Sequence, residues 1–108
     1  MKIVNINKTI TSTDLINLLN QKLDSLFESQ RQTKIHFTNQ ITDGAVEIYQ
    51  PELYEGFLFR IEINGPELHI TRSEHYVDDV NSLTVESILN KIFEDSAGTG
   101  KVTLVLEG

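Results

Sequence analysis

Phe57-Leu58-Phe59-Arg60-Ile61-Glu62-Ile63-Asn64-Gly65-Pro66-Glu67-Leu68-His69-Ile70 is the stretch that decides the fold. Phe57, Phe59, Ile61 and Ile63 alternate with Leu58, Arg60 and Glu62, the period-two pattern of a strand with one buried face. Asn64-Gly65 marks a turn. Pro66 lacks the N–H that would close a two-residue hairpin there, so the pattern predicts a slightly longer loop. Leu68 and Ile70 then resume the alternation in a second strand.

Reading toward the N-terminus extends the same meander. Ile35 and Phe37 alternate with His36 and Thr38, Asp43-Gly44 offers a type I′ hairpin turn, and Val46 and Ile48 follow it. Pro51-Glu52 opens a loop that closes at Gly56. Two amphipathic helices flank these four strands. In the first, Leu15, Leu19, Leu23 and Phe27 recur every four residues and Ile16 and Leu26 widen the stripe. Thr11 is its expected N-cap, with Asp14 at N3 and a hydrophobic staple from Ile10 to Leu15. In the second, Thr84 reads as the cap, Leu83 and Ile88 as the staple, and Ile88, Leu89, Ile92 and Phe93 as the stripe. Gly98 is placed to end that helix. Lys2 to Asn7 and Lys101 to Glu107 read as outer strands.

The order β-α-β-β-β-β-α-β predicts a single α+β domain over 1–108. It is a two-layer sandwich, with a largely antiparallel sheet and both helices on one face. A βαββαβ ferredoxin-like fold with an extra hairpin is one version, and a helix wrapped by a meander, as in cystatins, is another.

Charge is unevenly placed along this frame. Residues 43–79 hold nine acids against Arg60 and Arg72, a net of −7, while the first 42 residues net +2 and the last 29 net −2. In an up-down meander the 51–56 loop and the 73–81 segment emerge at the same end of the sheet. That predicts a rim carrying Glu52, Glu55, Glu74, Asp78 and Asp79 together with Tyr49, Tyr54 and Tyr76. Tyrosine favours interfaces because its ring buries area while its hydroxyl stays bonded. These eight residues are the expected contacts for a basic protein partner. The competing reading leaves them structural, with tyrosines closing the core, loop acids aiding solubility, and Asp78 and Asp79 favouring a helix N-terminus.

Other chemistry finds little support. With no cysteine, thiolate metal sites and disulfides are excluded. Gly98-Thr99-Gly100-Lys101 fails as a phosphate loop, since Asp95 stands where the first glycine belongs and Val102 where the hydroxyl belongs. His36, His69 and Glu47 share a strand parity, but a simple meander separates the histidines, and no metal or cofactor is expected. No Gly-x-Ser-x-Gly elbow is present, so an enzyme is not the expectation. Nine basic residues against sixteen acids oppose direct nucleic-acid binding.

No apolar run reaches the roughly 20 residues of a membrane span. Met1–Asn7 lacks an apolar core of the signal-peptide kind, so a cytoplasmic protein is expected. Twelve isoleucines and eight asparagines against two alanines suggest an AT-rich genome, bacterial or phage. The expected function is that of a small acidic protein-binding module, of inhibitor or immunity type. Two alternatives accompany it. One is a structural or adaptor protein forming a homodimer through an exposed edge such as 101–107; the other is a small enzyme or ligand-binding domain with a pocket between helices and sheet.

Overall fold

The computed structural model describes residues 2–6, 8–97 and 103–106. The chain forms β1 (Lys2–Asn5), α1 (Ser12–Arg31), β2 (Thr38–Thr42), β3 (Ala45–Tyr49), β4 (Phe57–Asn64), β5 (Glu67–Arg72), α2 (Val80–Ala97) and β6 (Thr103–Leu106). A single 3₁₀ turn at Glu74–Tyr76 lies between β5 and α2. One sheet contains all six strands in the order β2-β3-β4-β5-β1-β6, and every neighbouring pair is antiparallel. The expected α+β sandwich with a largely antiparallel sheet is therefore what the chain adopts.

Taking out the β3–β4 hairpin reduces the order to that of a βαββαβ ferredoxin-like sheet, the first of the two expected versions. β5 and β6 run parallel because both flank β1, and α2 is the crossover between them. The expectation that Lys2–Asn7 forms an outer strand is thereby corrected. Four of those residues form an interior strand, with Val4 opposite Leu68 on one side and Leu104 on the other. An end of the chain need not be an edge of the sheet when a crossover helix carries another strand past it.

The core follows from register. Val46, Ile61 and Ile70 form one row across β3, β4 and β5, and Ile48 pairs with Phe59 in the next. This face meets Leu15, Leu19, Leu23 and Phe27 of α1 and Val85, Ile88, Leu89, Ile92 and Phe93 of α2 in one buried cluster. Thr11 caps α1 as its sequence requires. Its hydroxyl accepts from Asp14 N at 3.0 Å, and Asp14 Oδ2 accepts from Thr11 N at 3.2 Å. Asp43 (φ 51°) and Gly44 (φ 80°) supply the two left-handed residues of the type I′ turn.

Four local expectations are corrected. Leu58 is buried beside Phe59 because the β3–β4 register shifts there: Ile48 pairs with Phe59 and Tyr49 with Phe57, which leaves Leu58 as the extra residue of a β-bulge. The β4–β5 turn has two residues after all. Asn64 pairs with Glu67 across Gly65 (φ 60°) and Pro66, so the N–H that closes the turn belongs to Glu67 and the proline costs nothing. β2 starts at Thr38, leaving Ile35 and Phe37 in the approach to it, although Phe37 is still buried. Finally, α2 starts at Val80, not after Thr84. Asp79 Oδ2 accepts from Ser82 N at 3.0 Å as an N-cap, and Thr84 bonds back to Val80 O inside the helix. Leu83, expected to staple that cap, is exposed. The proposed helix end at Gly98, the Gly98–Lys101 stretch and the outer residues of the 101–107 strand lie outside the described residues.

Candidate functional site

The loop after β3 is tied down from its first residue. Gln50 is buried; its amide nitrogen donates to His36 O at 2.9 Å and its amide oxygen accepts from Glu52 N at 2.8 Å. Gln50 O also accepts from Leu53 N and Tyr54 N. These bonds give both polar atoms of a buried amide a partner and set the loop's course. A glutamine following an alternating strand carries no sequence signal for this role.

Tyr54 then meets the segment before α2. Its hydroxyl donates to Asp79 Oδ2 at 2.7 Å and accepts from Asn81 Nδ2 at 3.0 Å. Its ring stands edge-on to Tyr76, with centroids 4.7 Å apart. The Tyr76 hydroxyl in turn accepts from Glu55 N at 2.9 Å. The 51–56 loop and the 73–81 segment therefore do meet at one end of the sheet, joined by two tyrosines and a helix cap. Burial, followed by the bond to Asp79, holds the Tyr54 hydroxyl protonated above its ordinary range.

The eight expected contact residues divide by what they touch. Tyr54, Tyr76 and Asp79 form the clamp and are half-buried. Glu52, Glu55, Glu74 and Asp78 are exposed around it, with no basic side chain in either segment except His75. Tyr49 departs from the group. Its hydroxyl donates to Glu47 at 2.7 Å on the sheet face away from the helices.

Apolar surface joins the acids. Among the described residues five large hydrophobic side chains are exposed, and four of them, Leu53 (56%), Val77, Val80 (51%) and Leu83, belong to these two segments and the first turn of α2. A groove of about 670 Å³ runs beside Glu55, Phe57, Ile70, Glu74 and Val77. Lys2 and Arg72 also line it, and both share the single carboxylate of Glu86, at 3.4 and 3.2 Å, so this wall of the groove keeps one net positive charge beside the acids.

Sequence reasoning set Glu47 on the outer parity of its strand but missed its burial. Glu47 is only 5% exposed, although it faces away from the helices. Arg60 Nη1 donates to it at 2.7 Å, and Tyr49 covers it. Burial alone would raise its pKa; bonds from Tyr49, Arg60 and Thr42 and the charge of Arg60 outweigh that and hold it below the ordinary value. The bond to Glu47, followed by burial, raises Tyr49. The signal was the shared parity of Glu47 and Tyr49, facing Arg60 on the neighbouring strand.

These shifts predict a stability plateau with two limbs. A lowered carboxyl contributes stability above its unfolded pKa and loses it as pH falls through the folded one, so the urea midpoint drops below about pH 4. The raised tyrosines contribute stability below their unfolded pKa and lose it as pH rises beyond about 10. Urea midpoints measured from acid to alkaline pH should show both limbs. Glu47→Gln should flatten the acid limb and leave the alkaline contribution of Tyr54.

Among the described residues no group of three or more His, Asp or Glu side chains is placed to hold a metal ion. His36 bonds Asp24 at 2.6 Å, and His69 lies 3.2 Å from Glu67. No helix among them is long and apolar enough to cross a membrane. Compared with family models, curated proteins and solved structures, the chain matches none.

Proposed function

We propose that this chain is a small cytoplasmic protein-binding module that docks on a basic protein through the end of the sheet bearing the Tyr54–Tyr76–Asp79 clamp. The observation that carries this reading is the coincidence on two adjoining segments of exposed acids with most of the exposed large apolar side chains. Loop acids that serve only solubility need no apolar company, whereas an interface combines an apolar centre with a charged rim. The clamp gives the surface a fixed shape, which lowers the ordering cost of binding. Blocking a basic site on the partner is the inhibitory or immunity-type role that fits this chemistry.

The clamp also defines the variant to test. Asp79 caps α2, so the exposed acids alone should be neutralised, as Glu52→Gln, Glu55→Gln, Glu74→Gln and Asp78→Asn. In affinity capture from a lysate of the source organism, the wild-type protein should retain a basic protein at low salt. It should lose that protein at high salt, and the fourfold variant should fail to hold it. With the purified pair, the variant should lower the association rate at low salt by about tenfold or more. Capture that is insensitive both to salt and to the fourfold change would refute this reading.

A further inference from the structure

We infer that the β2 edge of the sheet is a self-association surface that pairs two copies of this chain, antiparallel, about a two-fold axis through Gln40. The inference starts from what the edge lacks. Thr38-Asn39-Gln40-Ile41-Thr42 contains no charged residue and no proline, and its register with β3 runs through all five residues without a bulge. Edge strands that must stay single are usually protected by lysine, proline, a bulge or an inward charge. In a chain with sixteen acids and nine bases, an uncharged edge with an exposed isoleucine (Ile41, 45%) is notable.

Backbone geometry then selects the partner. In an antiparallel pair, residues alternate between those bonding the neighbour and those facing away from it. The two-residue turn makes Thr42 and Ala45 a bonded pair, so Thr42, Gln40 and Thr38 bond β3 while Asn39 and Ile41 face outward. The next outward residue, Phe37, already donates its N–H to Asp24 Oδ1 at 3.1 Å. Among the described residues the free ladder is thus Asn39 and Ile41, which is symmetric about Gln40. A second copy turned by the two-fold sets Asn39 against the partner's Ile41, and Ile41 against the partner's Asn39, and each pairing exchanges both backbone bonds.

The side chains agree with that register. On the helix-free face Gln40 meets its own copy, and Thr38 meets the partner's Thr42 on either side, a neutral ladder with favourable threonine pairs. On the helix face each Ile41 packs beside the partner's Asn39 and loses exposure. No like charges are brought opposite one another. β3 and β4 lie between β2 and β5, so the edge is separated from the 73–81 segment that carries Glu74 and Asp78, and none of the four acids of the docking surface belongs to β2.

Sedimentation equilibrium of the full chain from about 10 μM to about 1 mM spans the range in which a small strand-pairing interface associates. The mass should rise from 12.3 kDa toward twice that. Association should strengthen with added salt, because each copy carries −7, the opposite sign to the salt effect expected for the basic partner. Gln40→Lys places like charges opposite each other on the axis and should weaken association about tenfold or more; Gln40→Glu should do the same. An equimolar mixture of the two variants should recover it, since the axis then pairs opposite charges. Circular dichroism and thermal melts confirm that each variant is folded, which matters most for Gln40→Glu, opposite Glu47. A mass fixed at 12.3 kDa throughout would overturn the inference and leave the edge to an extended strand of another protein. A Gln40→Lys variant that associates like wild type, or a mixture that shows no recovery, would overturn it as well.

Discussion

Phe27→Ala is expected to destabilise the fold by about 3–5 kcal/mol. Phe27 is fully buried at the end of the α1 stripe, with its ring edge-on to Phe37 at 5.2 Å. Truncation removes the buried ring and the aromatic pair together. The cavity it leaves lies between a helix and a sheet that are each held by other contacts, so collapse around it is limited. Phe37 also has its N–H fixed by Asp24, which keeps the partner ring from following. Urea unfolding measures the cost. Phe27→Leu should lose about 1.5 kcal/mol or less, since most of the volume remains. A protein of this size typically has about 5–15 kcal/mol in hand, so the alanine variant sits near the margin of folding.

Asp79→Ala should cost roughly 2–4 kcal/mol, because one carboxylate serves two structures. It caps Ser82 N at the start of α2 and accepts the Tyr54 hydroxyl, itself bonded by Asn81. Losing the cap frees a backbone donor in the first turn, and losing the acceptor strands a half-buried phenol. Asp79→Asn keeps an amide oxygen for both donors and should cost less than about 1 kcal/mol. Ultraviolet titration of the tyrosines separates the two losses. In the alanine variant the Tyr54 transition should move down toward that of an ordinary tyrosine, because the bond that holds its proton is gone.

Much of this fold was legible because its local signals agree with one another. The α1 stripe, Thr11 with Asp14, the Asp43-Gly44 turn and the Val46/Ile48 alternation each depend on residues within a few positions, and each appears in the structure. The failures share a cause. Leu58 belongs to a bulge that exists only because β3 and β4 settle into one register. At the start of α2 two caps compete, Asp79 and Thr84. Asp79 prevails because Tyr54, 25 residues upstream, fixes its carboxylate and secures the extra turn. Strand order was illegible altogether, since nothing in Lys2–Asn5 says that Leu68 and Leu104 will lie on either side of it.

The rim shows the same division. That the 51–56 loop and the 73–81 segment share an end followed from counting strands, and so their acids could be grouped from sequence. Which of those residues would become scaffold could not be read, because that depends on hydrogen bonds between the two segments. Tyr54, Tyr76 and Asp79 became the fixed part, and Glu52, Glu55, Glu74 and Asp78 the surface around it. Tyr49 left the group because strand alternation sets it on the same side of the sheet as Glu47, which its hydroxyl bonds.

The interior position of β1 has a consequence for how the chain reaches this structure. β1 has its partners more than 60 residues further along the chain, Lys2 opposite Ile70 and then Leu106. The β2–β5 meander and α1 can assemble from neighbours in the chain, but β1 must wait for β5, and β6 for β1. Contacts that distant close loops of high entropic cost, which slows folding and leaves the β5 edge bare in the interval. The apolar run Ile3-Val4 is thus synthesised well before the strands that bury it, so the nascent chain carries β1 unpaired at least until β5 has been made.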